Sequence, residues 1–198
     1  MNNEVFNKVN ESGNVESKFQ QLFDFHTTDL VVQFARQQGV IWQDMDAYVQ
    51  NIYDFSKIVR EIESQNNPKA VNIPLPGRKK STARGVYQFT KESVETAFNR
   101  VKNMDKKYNL GVGSLIRDIP EDPIEWTPEE ADLVFISNIL SAPGSDEYMH
   151  AVGSGEPAAG LYTYYNYHYQ AKDKIPEQTK RRAEAYFKEH WYFKNKGK

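Results

Sequence analysis

Ile58-Val59-Arg60-Glu61-Ile62-Glu63-Ser64, followed by Asn67-Pro68-Lys69-Ala70 and then by Ala83-Arg84-Gly85-Val86-Tyr87-Gln88-Phe89, is the stretch that decides how this chain folds. Upstream of it Met45, Val49, Ile52, Tyr53, Ile58, Val59 and Ile62 keep one apolar stripe at helical spacing, which predicts a long helix from about Gln43 to Glu63. Glu63 sits at the edge of that stripe, one position past Ile62, whereas Glu61 lies about 200° round the helix from it and faces water. A carboxyl group at the end of an apolar helix, opposite a glycine turn, meets low-dielectric packing. Such packing disfavours the charged form and keeps the group available as a proton donor near neutral pH.

Working outward, helical patterns dominate. Val15, Phe19, Leu22 and Phe23 recur at helical spacing, and a second short helix is expected with Thr28 as its N-cap, Leu30, Val31 and Phe34 on one face, and Gly39 as its stop. Pro74, Pro76, Gly77 and the basic run Arg78-Lys79-Lys80 read as a solvated loop. Thr90 caps a helix carrying Val94, Ala97, Phe98 and Val101, and Thr127-Pro128-Glu129-Glu130 is a capping-box start with Pro at the first helical position. Further helices are expected from Asp146 to Val152, Ala158 to Tyr169 and Glu177 to about Tyr192. Alternating strand patterns are scarce, so the expected fold is mainly α, with at most a small β-hairpin.

The chain has 198 residues, 39% of them hydrophobic, enough for one substantial core and too few for two comfortable domains. A net charge of −2 supplies no global pull towards nucleic acid, so a polymer substrate would be held by a local groove. There is no cysteine, hence no disulfide. Met1-Asn2-Asn3-Glu4-Val5-Phe6 lacks the basic and apolar regions of a signal peptide, and no apolar run approaches a membrane span, so neither ordinary export nor membrane insertion is expected. His26, His150, His168 and His190 show no ligand spacing, and no metal or cofactor is expected.

The order Glu63-Ser64, then Asn67-Pro68-Lys69-Ala70, then Ala83-Arg84-Gly85 with Gln88 resembles the soluble lytic transglycosylases of the lysozyme-like superfamily, whose usual signature is Glu-Ser followed by Gly-Leu-Met-Gln. Tyr165-Asn166 matches that family's Ala-Tyr-Asn motif and Pro176-Glu177-Gln178-Thr179 its Pro-x-x-Thr helix start. The resemblance implies a lysozyme-like (goose-type) helical domain over 43–198, behind an N-terminal helical extension over 1–42. It also implies cleavage of the MurNAc-GlcNAc β-1,4 bond of peptidoglycan glycan strands to a 1,6-anhydromuramyl product, with Glu63 as the single general acid and base. Tyr165 would then orient the Glu63 carboxyl and Asn166 brace the turn or bind substrate. Gly85 would permit close approach or a positive φ, and Gln88 would bond an N-acetyl group or orient the acid. Tyr87 stands where the family carries Met, in the central subsite. Ser64, Ser81 and Thr82 offer hydroxyls near the cleft, though such hydroxyls more often cap or brace.

An unexported wall enzyme reaches its substrate by lysis or injection, so the expected setting is a phage one. The protein would be virion-associated, with virion proteins as partners, or host-cytoplasmic with release to the periplasm and cell wall. The rival readings are a hydrolytic muramidase using Asp105, Glu121 or Asp122 across the cleft, a wall endopeptidase on the same scaffold, and a non-catalytic virion or glycan-binding protein.

Overall fold

The computed structural model describes residues 23–72, 82–113, 115–168 and 175–195; the expected helix carrying Val15, Phe19 and Leu22, the basic run 78–80 and Ser81 lie outside them. The described residues are mainly helical, and none forms a strand. Among the described residues the β structure is limited to two isolated antiparallel bridges, Val71 with Arg84 and Arg84 with Phe89.

Helix α1 (Phe25–Gln37) starts one turn earlier than Thr28 suggests. The cap is Asp24, whose carboxylate accepts from the Thr27 N–H at 2.7 Å. Gly39, at φ +79°, follows the last turn as expected. A short 3₁₀ turn, Trp42–Asp44, leads into α2 (Met45–Ser64), which buries Met45, Val49, Ile52, Phe55, Val59 and Ile62 along one stripe. Helix α3 (Lys91–Tyr108) is capped by Thr90, which accepts from the Ser93 N–H, and α4 (Leu115–Asp118) is a single turn. Helix α5 (Pro128–Leu140) begins with both hydrogen bonds of the Thr127/Glu130 capping box and is buried on nearly every side. Then follow α6 (Ser145–Gly153), α7 (Ala159–Thr163) running into a π-helical turn, Tyr164–His168, and α8 (Glu177–Phe187), which continues through a second π turn, Lys188–Tyr192, to Asn195.

Helix α5 is the hub. It packs against α1, α3 and α6, while α2 packs against α1, α6 and α8. Through Leu30, Val31, Phe34 and Ala35, α1 belongs to the same buried cluster as α2, α5 and the C-terminal Phe187 and Trp191. Gly153 permits one close approach: a Cβ there would fall inside the ring of Tyr48, whose hydroxyl donates to the Met149 carbonyl.

Polar groups also cross this core. Arg60 of α2 reaches both carboxylate oxygens of Asp132 on α5, at 3.2 and 3.3 Å, and the buried Tyr87 hydroxyl donates to Asp132 Oδ1 at 2.5 Å. The Tyr87 ring stacks on Phe135 with centroids 3.9 Å apart. Burial raises the Asp132 pKa, and the opposing pull of Arg60 and Tyr87 does not cancel it. Burial likewise pushes the Tyr87 hydroxyl well up, helped by the adjacent carboxylate.

Removing one partner of such a pair strands a buried charge, so Asp132→Leu or Arg60→Met alone should cost about 3–5 kcal/mol, whereas the two combined should recover most of the loss. Urea denaturation of the two single variants and the double variant measures the cycle. Because the folded-state pKa of Asp132 lies above its unfolded value, its contribution is full below the ordinary carboxylate range. That contribution should fade as pH rises through the raised value, and the double variant should lack this slope.

Candidate functional site

The last turn of α2 is held from two sides. Gln65 and Asn66 both adopt left-handed conformations, at φ 54° and 58°, and their N–H groups close onto the carbonyls of Glu61 and Arg60. The chain therefore turns back sharply just after Ser64. The Ser64 hydroxyl reaches the carbonyl of Arg60 at 3.1 Å and that of Val86 at 2.8 Å, which ties the helix end to the Gly85-Val86-Tyr87-Gln88 turn.

That turn is braced internally. The Gly85 N–H donates to the Ala70 carbonyl at 2.9 Å, and Gln88, itself at φ 52°, donates its side-chain Nε2 to the carbonyls of Gly85 (2.8 Å) and Ala70 (3.3 Å). Gly85 combines φ +74° with close approach, since a Cβ there would lie 2.7 Å from the Pro123 carbonyl oxygen. The amide nitrogen of Gln88 is thus spent on shaping the turn rather than aimed at an N-acetyl group. Tyr87 is likewise a correction: only 1% exposed and bonded to Asp132, it anchors the back of the turn in the core instead of lining a subsite.

Glu63 is half-buried, and the hydroxyl that reaches it is that of Tyr164, donating to Oε1 at 2.5 Å. Tyr165, expected in that place, instead bonds Glu184 of α8 at 3.3 Å, and burial next to Glu184 pushes its hydroxyl up to about 12. Neighbouring helical residues diverge by roughly 100°, so only one of two adjacent tyrosines can face Glu63. Gly160, Thr163 and Tyr164 are all buried on one i, i+3, i+4 face, and that spacing was the available signal for the earlier tyrosine.

The remaining residues divide. Asn166 is exposed and donates to the Tyr162 carbonyl at 3.1 Å, bracing its own turn. Thr82 is exposed and accepts from the Lys91 N–H at 3.1 Å, at the start of α3. Of the carboxylates considered for water activation, Asp105 accepts from the Val112 N–H and Asp122 pairs with Arg84 at 2.8 Å, so both have structural partners. Beside the Gly85 turn a groove of about 660 Å³ opens between α3 and the 121–123 segment, bordered by Thr82 and Arg84. No cluster of His, Cys, Asp or Glu suited to a metal occurs among the described residues, nor any helix long and apolar enough to cross a membrane.

No protein-family model, curated protein or solved structure matches this chain.

Gly85→Ala should destabilise the protein by roughly 1–3 kcal/mol, because the new methyl meets Pro123 in a backbone conformation that disfavours any Cβ. Thermal unfolding of the variant beside Gly111→Ala tests this, since Gly111 shares the positive φ but has nothing within 4 Å of its added Cβ.

Proposed function

We propose that this protein is a lytic transglycosylase that cleaves the MurNAc-GlcNAc β-1,4 bond of peptidoglycan, with Glu63 as its one acid and base. The observation that carries the reading is the 2.5 Å hydrogen bond from Tyr164 to Glu63, made at a helix end that Ser64 ties to the glycine turn. A carboxyl group so held keeps one rotamer, which proton transfer to a fixed oxygen requires. The acidic proton is the one carried by this Glu63 carboxyl group.

In the first step Glu63 gives that proton to the glycosidic oxygen. The C1–O bond breaks, and the substrate's own acetamido group shares the positive charge developing at C1. Glu63, now a carboxylate, takes the proton of the muramic acid C6 hydroxyl as its oxygen attacks C1. The 1,6-anhydro ring closes and the carboxyl group is restored, with no water consumed. Tyr164 stabilises the carboxylate stage by donating to it.

Glu63→Gln should keep the fold and lower cleavage by about 10²- to 10⁴-fold, because an amide cannot supply the proton. Glu61→Gln should change little, since Glu61 pairs with Asn66 at the surface of the helix end. Mass spectrometry of released muropeptides should give 1,6-anhydromuramyl ends. Reducing muramic acid ends alone would move the protein to the hydrolases, and peptide cleavage with intact glycan would sink both readings. Tyr164→Phe should slow turnover roughly 10- to 100-fold, the worth of a hydrogen bond to a charged group, whereas Tyr165→Phe should act mainly on stability. Turnover and melting temperature of the two variants separate these effects.

A further inference from the structure

The groove between α3 and the 121–123 segment is lined by neither Glu63 nor Tyr164. One wall is a single face of α3, where Lys91, Glu95, Asn99 and Lys102 follow one another at i, i+4, i+8 and i+11. The opposite wall carries Glu121 and the Arg84–Asp122 ion pair, and Phe89 and Phe98 supply apolar lining. Among the described residues no ion pair engages Lys91, Glu95, Lys102 or Glu121. Charges of both signs thus stand unspent along one concave surface.

We infer that this groove binds the peptide stem of peptidoglycan, an inference that rests on the proposed glycan cleavage. A stem carries free carboxylates, one side-chain amine and alanine methyl groups. Lys91 and Lys102 match the carboxylates, Glu95 and Glu121 the amine, and the phenylalanines the methyls. A nucleic acid or other polyanion would meet Glu95, Glu121 and Asp122 as repulsive charges, so the mixed pattern favours a mixed-charge ligand. A volume of about 660 Å³ suits a short peptide.

The groove is also in reach. The stem hangs from the lactyl ether of the muramic acid whose bond Glu63 would break. Arg84, at the groove's border, is at most about 8 Å of chain from Val86, whose carbonyl accepts from Ser64 beside Glu63.

The test compares two substrates: glycan strands bearing tetrapeptide stems, and the same strands stripped of stems by an amidase. The wild-type chain should cut the first with about tenfold higher kcat/KM, and in the Lys102→Ala/Glu95→Ala double variant that ratio should fall towards one. Because the readout is a ratio of two rates on one preparation, a partly unfolded variant lowers both and leaves it unchanged. Free tetrapeptide, titrated by NMR, should bind the wild type saturably and the double variant not at all. Equal cutting of the two substrates by the wild type, or peptide binding unaltered in the variant, overturns the inference. If neither substrate is cut, the catalytic reading fails, and saturable peptide binding lost in the variant would still uphold the groove, while no binding would overturn it.

Discussion

Arg60 is a guanidinium in the interior, its side chain 14% exposed, and its charge is met through Nη1 by a carboxylate from a distant stretch of chain. A buried charge without a partner costs several kcal/mol, so Asp132 must sit against it, and Asp132 in turn takes the Tyr87 hydroxyl. The three residues come from α2, α5 and the glycine turn, so one electrostatic requirement joins three distant stretches of chain. One turn further along α2, Ser64 adds a second tie to the same glycine turn. Glu63 lies between the two ties, which is why its position is set by the core and not by a mobile loop.

The partner of Glu63 is placed by packing. Gly160 lets α7 press against α8, since a Cβ there would meet Phe187 at 2.8 Å and Trp191 at 3.0 Å. Tyr164 is four residues on, on the same face, and so points inwards with its ring 5.8 Å from that of Phe187 and its hydroxyl on Glu63. Tyr165, rotated about one residue further, faces α8 and bonds Glu184. Small-residue packing therefore decides which of two chemically identical side chains touches the carboxylate.

The glycine turn has two sides with different tasks. Tyr87 points into the core and anchors it, whereas Arg84 pairs with Asp122 at the border of the groove. A short segment can serve both because it is held by main-chain bonds and by the Gln88 amide, which leave its outward side chains uncommitted to folding.

Local signals were sufficient for much of the architecture. The stripe from Met45 to Ile62, the Thr90 cap, the Thr127/Glu130 capping box and the stop at Gly39 are short-range effects of periodicity and capping, and each has its expected place in the structure. The special backbone at Gly85 was equally legible, because a positive φ or a close backbone approach is what a glycine inside a turn most often supplies. What sequence could not decide were choices among equivalent neighbours. Tyr164 against Tyr165 and the inward direction of Tyr87 depend on rotations of about 100° and on partners as distant along the chain as Asp132, Glu63 and Glu184. Periodicity and capping act over a few residues and are written in the chain; the facing of one tyrosine towards a carboxylate a hundred positions away is fixed only when the helices pack.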